Sequence, residues 1–306
     1  MQIAILGAGA MGSFFGGRLA EANHAVTLLD VDEAHLASVR RDGLRLSTDS
    51  GERVVRNLAA MKPDEAMEPA DLVIVFTKTM HTSAALTAAR GVLGPQTALL
   101  SLQNGLGNTE RLAQFAAPER VMIGVTTWPA DKSEPGRVSS HGNGTIRLMT
   151  ANATRTPTLE QTVDTLNGAG LTCTADPDVW AAIWEKVAFN AALNCLCAVT
   201  QCTVGDLINT PDGEALALKI VAEVVAVAHA RGIAADEAHV AANVRYALAH
   251  HGTHRPSMLQ DVLAGRRTEI EAINGAVVEA AHSARIAVPY TEGLLHLVRL
   301  IDARPH

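Results

Sequence analysis

Aromatic side chains are scarce, three per cent of 306 residues, with two Tyr, three Trp and five Phe. Single-stranded nucleic acid is usually gripped by aromatic stacking platforms, so no such platform is expected. Positive charge is not in surplus either. Lys and Arg number 25 against 32 Asp and Glu, a net charge of −7 with a pI near 5.9. A phosphate-backbone binder calls for the opposite balance, and nucleic-acid partners are not expected. The four cysteines (Cys173, Cys195, Cys197, Cys202) form neither a CxxC pair nor a zinc-ligand pattern. Three of them crowd into eight residues, a poor disulfide framework. Reduced thiols in a cytoplasmic protein without a metal centre are the simplest account. No uninterrupted apolar run has the length of a membrane-spanning helix, so no membrane partner is expected.

What is present is a globular balance, 48% apolar and 19% charged, in a chain long enough for two domains with a core each. The opening stretch organises the rest. Ile3 to Leu6 has the length and branching of a buried parallel strand. It breaks into Gly7-Ala8-Gly9-Ala10-Met11-Gly12, a helical pattern follows, and a second apolar run from Ala25 to Leu29 ends in Asp30, 18 residues beyond Gly12. Strand, glycine turn, helix, strand and acid in this order read as a dinucleotide-binding unit. Gly7 permits the tight turn, Gly9 lets a pyrophosphate approach the backbone, and Gly12 lets helix and strand pack closely. The helix N-terminus offers unpaired N–H groups and partial positive charge to the phosphates. A cleaved signal peptide is not expected, because no Lys or Arg precedes the apolar run.

The alternation continues. A strand from Asp71 ends in Lys78, and the strand Ala98 to Leu102 delivers Gln103-Asn104-Gly105 to the same sheet edge. Helices are expected at Glu33–Arg41, Ser83–Arg90 and Thr109–Phe115, with a strand at Val121–Thr127. Arg137–His141 and Thr145–Leu148 flank Gly142-Asn143-Gly144 and read as a β-hairpin. A helix at Thr158–Asn167 and a strand at Leu171–Thr174 close a domain over 1–176. From 177 to 306 only helical patterns remain, including Asp178–Thr200 and Thr268–Ile286. The expected fold class is α/β, a Rossmann-type doubly wound sheet followed by an all-helical C-terminal domain.

Within the Asp178–Thr200 helix, Lys186, Asn190 and Asn194 recur at i, i+4 and i+8 and share one face. A solvated stripe would normally favour Glu and Lys over two asparagines. On a helix this apolar the stripe must find partners or line a wet cavity. A second polar cluster follows in Ser257-Met258-Leu259-Gln260-Asp261 and Thr268-Glu269-Ile270-Glu271; Thr268 as a cap and either acid as an N-terminal charge would also be explained by a helix start.

Taken with the glycine turn, the strand ending in Lys78 and Gln103-Asn104-Gly105, the run Trp184-Glu185-Lys186-Val187-Ala188-Phe189-Asn190-Ala191-Ala192-Leu193-Asn194 resembles the ketopantoate reductase family. So do Gly124-Val125-Thr126-Thr127, Pro135-Gly136-Arg137-Val138, Ser257 to Asp261 and Thr268 to Gly275. The resemblance spans essentially the whole chain. It implies reduction of 2-dehydropantoate to (R)-pantoate with a nicotinamide cofactor, in a cleft between the domains of a homodimer. It implies Lys186 as proton donor and Glu269 as the acid beside the substrate, a small 2-keto acid. Asn104, Asn190, Asn194 and Ser257 match substrate-binding positions. Gly7, Ala8, Gly9, Ala10, Met11, Gly12, Asp30, Lys78 and Asn104 match the cofactor side.

Two departures shape the expectations. NADPH-using members carry a basic residue just after the second strand, where this chain has Asp30-Val31-Asp32. A carboxylate there bonds a free ribose 2′-OH and repels a 2′-phosphate, which favours NADH over NADPH; Arg40 and Arg41 are the nearby cations that would reverse this. Asn194-Cys195-Leu196-Cys197 replaces the family's Asn-Pro-Leu and alters the expected pocket wall. The alternatives are a paralogue reducing another bulky 2-keto acid, as a D-2-hydroxyacid dehydrogenase, and a nucleotide-binding protein without turnover.

Overall fold

The computed structural model describes residues 1–304. Two compact units emerge: residues 1–103 with 108–179, and residues 104–107 with 180–306. The short turn Asn104–Gly107 thus belongs with the helical unit.

The first unit begins with β1 (Gln2–Leu6), α1 (Ala10–Glu21), β2 (Ala25–Leu29) and α2 (Glu33–Asp42). It continues with β3 (Leu44–Thr48), β4 (Gly51–Val55), β5 (Leu58–Met61), β6 (Leu72–Val75), α3 (Thr82–Ala88), β7 (Ala98–Ser101) and α4 (Asn108–Leu112). β8 (Val121–Thr126), β9 (Asp131–Glu134), β10 (Arg137–Ser140), β11 (Ile146–Thr150), α5 (Pro157–Gly168) and β12 (Cys173–Ala175) complete it. Eight strands form one sheet in the order β12-β11-β8-β7-β6-β1-β2-β5. All neighbours are parallel except β11 against β8. The run β5-β2-β1-β6-β7-β8 is the doubly wound order in which strand succession reverses beside β1. β6 and β7 are buried along their whole length, which is why they read as continuous apolar runs rather than alternating ones.

The hairpin expected across Gly142-Asn143-Gly144 does not form. β10 pairs antiparallel with β9 and parallel with β3 in a separate four-stranded sheet, β4-β3-β10-β9. β11 pairs with β8 and β12 in the large sheet. The real hairpin turns at Pro135-Gly136, where Gly136 has φ +76°. A β-branched run on each side of a Gly-rich loop fits either pairing, and tertiary partners decide.

The second unit holds α6 (Val179–Thr200), α7 (Pro211–Ala230), α8 (Glu237–His250), α9 (Ser257–Leu263), α10 (Ala276–Ala284) and α11 (Pro289–Asp302). By length and composition α6 could cross a membrane, yet 72% of its most apolar window is buried inside the protein. It is the central helix of this unit's core, with Val187, Ala188, Ala191, Leu193 and Ala198 packed among Ile220, Val224, Ile273 and Val277. The helix expected over Thr268–Ile286 starts later. Thr268 donates its N–H and its hydroxyl (2.8 Å) to the Asp302 carboxylate at the end of α11. That anchor holds 268–270 out of the helix, and a π-helical turn, Glu271–Gly275, precedes α10.

Candidate cofactor and active site

At the carboxyl edge of the large sheet, Leu6 lies in register with Leu29 on one side and Val75 on the other. The chain therefore brings the glycine turn, Asp30 and the segment before Lys78 to one edge. Gly7 has φ +98°, and a Cβ there would lie 2.5 Å from the Thr77 amide nitrogen. A Cβ on Gly12 would lie 1.9 Å from the Gly7 carbonyl oxygen. At Gly9, by contrast, a Cβ would meet nothing within 4 Å. Gly7 and Gly12 are thus forced by the fold, whereas Gly9 leaves open space against bare backbone. Gly9 is the N-cap of α1, with no side-chain cap and no acid in the first turn. Ala10, Met11 and Gly12 begin the helix there, the arrangement that receives a pyrophosphate. Two aromatics of this helix pack against aromatics outside it: Phe15 meets Phe76 at 4.9 Å between centroids, and Phe14 meets Trp128 at 5.4 Å.

Asp30 accepts the Val31 and Asp32 N–H groups (2.7 and 3.0 Å) on Oδ1, which leaves Oδ2 for a ligand. Asp32 does not stand beside it as a second ribose acceptor. It caps α2 by accepting the His35 N–H and pairs with Lys132 at 2.9 Å, whose hydrogen bond holds its carboxyl below the usual carboxylate range. The two nearby arginines are engaged elsewhere. Arg40 bonds Glu33 and the Ala60 carbonyl, and Arg41 pairs with Asp42 at 2.7 Å. Lys78, half-buried, opens the 3₁₀ turn Thr79–His81 beyond β6. Gln103, whose role its motif does not announce, donates from Nε2 to the Thr77 carbonyl (2.6 Å) and the Thr82 hydroxyl (2.7 Å), and its Oε1 accepts from Ser101. It holds the loop that carries Lys78.

In the helical unit α6 carries the polar stripe. Asn190 and Asn194 are 8% and 6% exposed. Lys186, half-buried on the same face, has its ammonium pKa pulled down to about 8 by desolvation, with Glu269 nearby acting the other way. Of the named substrate-side residues, Lys186 and Glu269 are brought into electrostatic contact, while Ser257 is exposed at the first position of α9. Gly105 has φ +82°, and a Cβ there would lie 2.5 Å from the Ala272 carbonyl, which accepts the Leu106 N–H at 2.8 Å. The turn bearing Asn104 is therefore pinned to the π-helical turn that follows Glu269; π-turns recur at functional sites. Asn274, fully buried, is a residue the sequence did not single out. Its Nδ2 donates to the Ala191 carbonyl at 3.4 Å, and its Oδ1 accepts the Cys195 thiol at 3.0 Å. Only its polarity inside an apolar helical run marked it. Cys195 is also fully buried, against Asn274 and Met258. It is a core contact behind the stripe rather than a pocket wall, and burial pushes its thiol well above the ordinary range. Among the described residues no group of three or more His, Cys, Asp or Glu is arranged to hold a metal.

A doubly wound sheet with an open glycine turn and an acid after β2 defines a Rossmann-type dinucleotide-binding protein, here joined to a helical unit bearing a depressed lysine. Residues 3–153 match the family model described as ketopantoate reductase PanE/ApbA, and residues 178–302 match its C-terminal model. The chain belongs to the ketopantoate reductase family, a family of oxidoreductases. The 2-dehydropantoate 2-reductase of Streptococcus pyogenes serotype M3 is 36% identical over 304 residues, covering 99% of this chain and 98% of the relative. That of Halobacterium salinarum is 39% identical, covering 98% of both. A structure of D-mandelate dehydrogenase with NADH and anilino(oxo)acetate is 30% identical with a TM-score of 0.94, covering 99% of this chain and 98% of that one. The 2-dehydropantoate 2-reductase of Geobacter metallireducens GS-15 is 31% identical with a TM-score of 0.92, covering 98% and 99%.

Proposed function

We propose that this protein reduces 2-dehydropantoate to (R)-pantoate and prefers NADH. The observation that carries the reading is Lys186, a cation whose pKa has been drawn to about 8, with Glu269 nearby, on the helix face that also carries Asn190 and Asn194. Hydride addition to the keto carbon builds charge on its oxygen, and a proton must reach that oxygen. The nicotinamide, when bound, supplies the hydride. Lys186 Nζ stabilises the developing alkoxide and donates its proton, and a pKa near 8 suits transfer close to neutral pH. Glu269 keeps the lysine charged against desolvation and orients it. Asn190 and Asn194 offer amide donors and acceptors for the substrate's carboxylate and hydroxyl, with Ser257 and Asn104 as further substrate contacts.

On the cofactor side, Gly7, Ala8, Gly9, Ala10, Met11 and Gly12 receive the pyrophosphate. Lys78 and Asn104 would hold the nicotinamide end when it is bound, and Asp30 Oδ2 would accept from the ribose 2′-OH. NADH is favoured because Arg40 and Arg41 are already paired and because two D-mandelate dehydrogenase structures, 30% identical, contain NADH. The family likeness is the ground for a cytoplasmic homodimer. The D-mandelate dehydrogenase likeness also supports a second reading, reduction of another bulky 2-keto acid. The curated relatives favour 2-dehydropantoate. A panel of 2-keto acids assayed with NADH and NADPH in parallel tests the substrate and the cofactor preference. The highest kcat/KM is expected for 2-dehydropantoate with NADH; a higher value for an aryl keto acid would transfer the assignment to the second reading.

A further inference from the structure

Behind the glycine turn lies a buried chain of hydrogen bonds. Gly136, in the β9–β10 turn, donates its N–H to His35 Nδ1 at 3.0 Å. An accepting Nδ1 carries no proton, so the ring proton sits on Nε2. That nitrogen lies 3.0 Å from the Ser13 hydroxyl oxygen and donates to it. Ser13 in turn donates its hydroxyl proton to the Ala8 carbonyl at 2.8 Å. His35 and Ser13 are both fully buried. The relay joins residues that are 22 and 101 positions apart and ends on the peptide between Ala8 and Gly9.

That peptide is the one that matters. It is trans, as all the described peptides are, so its C=O and N–H point in opposite directions. Fixing the Ala8 carbonyl on Ser13 aims the Gly9 N–H away from the helix. Gly9 is also where a side chain would meet open space. We propose that His35 is a positioning residue for the dinucleotide cofactor, acting through Ser13 to orient the Ala8–Gly9 peptide of the glycine turn. This rests on the glycine turn being the pyrophosphate site.

The two ends of the imidazole can be removed separately. His35→Asn keeps an acceptor where Nδ1 stood and loses the reach to Ser13. His35→Gln keeps a donor where Nε2 stood and gives up the Gly136 N–H. Both should lower the melting temperature, since each leaves a buried group unpaired. Only His35→Asn should raise the Kd for NADH, by about five- to tenfold, the range of one lost hydrogen bond. His35→Gln should stay within about twofold, kcat should be unchanged in both, and Ser13→Ala should reproduce His35→Asn. Amide hydrogen exchange in the ligand-free protein should quicken across residues 8–12 in His35→Asn and Ser13→Ala but not in His35→Gln. Equal Kd values in all variants, or equal losses in Asn and Gln together with unaltered exchange, would overturn the role. If the wild type binds no nicotinamide nucleotide at all, the reading of the turn as a pyrophosphate site fails. The exchange pattern would still decide whether His35 orders the turn.

Discussion

On the proposed reading, the two units would hold a small charged molecule in opposite ways. In the sheet unit the groups offered are mostly backbone: N–H groups at an uncapped helix start, laid bare by glycines. In the helical unit they are side chains, Lys186, Asn190 and Asn194, carried on a helix whose other faces are core. A backbone site is written in the residues that are missing a side chain, and each glycine can be checked against what a methyl group would hit. A side-chain site is written in residues that are out of place, polar where apolar is expected. The first kind is held by sterics and the second by electrostatics, and they should break differently.

The largest expected break is in the helical unit. Lys186→Ala should fold and bind NADH with ordinary affinity, yet lose about 10² to 10⁴ in kcat, the usual cost of removing a proton donor. With Lys186 as the proposed proton donor, kcat/KM in the wild type should fall as pH rises through about 8. Steady-state rates across pH 6 to 10 in wild type and variant measure both effects. A high-pH limb that persists in Lys186→Ala would assign it to another group.

The sheet unit should break next, and unevenly. Gly12→Ala places a methyl against the Gly7 carbonyl, a backbone atom that cannot step aside. A loss of about 3 kcal/mol or more in stability is expected, at the upper end of overpacking costs. Gly9→Ala, with open space and an extended φ of −66°, should cost less than about 1 kcal/mol in urea unfolding. It should still weaken NADH binding at least tenfold, because the methyl fills the approach of the phosphates. A Gly9→Ala protein with wild-type NADH affinity would end the comparison between the two kinds of site.

This contrast also explains what was legible in advance. The strand–helix alternation of a doubly wound sheet, the glycine turn and the α6 stripe all follow from local periodicity and residue type, and they were readable. The β9–β10 hairpin was not, because Arg137–Ser140 and Ile146–Thr150 are equally good strands and only the partner sheets separate them. The late start of α10 depends on Asp302, 34 residues beyond Thr268. Asn274 and Gln103 act through bonds to distant backbone, which no spacing rule announces. Arg40 pairs with Glu33 two turns back on α2 and Arg41 with its neighbour Asp42, contacts that local spacing permits but does not dictate.

A smaller effect is expected at the proposed adenosine end, where the sheet unit would use a side chain. Asp30→Ala should narrow the NADH-over-NADPH ratio in kcat/KM by about tenfold, the size of one charge-assisted hydrogen bond. Asp30→Arg should go further and favour NADPH. Lys132 is already held by Asp32, so Lys132→Ala should change the ratio less than either. A larger response at Lys132 than at Asp30 would mean that the lysine, and not the acid, faces the 2′ position.

The smallest effect belongs to the scaffold under the glycine turn. Burial holds the His35 imidazole below its ordinary 6.5, and Lys132 pushes the same way while Asp32 and Asp30 oppose. A histidine that is harder to protonate when folded makes the unfolded chain the better proton acceptor. Stability is then complete above about pH 6.5 and drains away as pH falls toward the depressed native value, below which the slope returns to zero. For one proton the slope cannot exceed about 1.4 kcal/mol per pH unit. His24 is depressed too, by burial and the neighbouring N-terminus, so the wild-type curve alone would mix the two. Subtracting the curve of His35→Gln isolates one histidine. The difference in unfolding free energy between wild type and His35→Gln should shrink between pH 7 and pH 5, measured from urea midpoints at each pH. A pH-independent difference would mean that folding leaves the proton affinity of His35 unchanged, against the direction set by its burial.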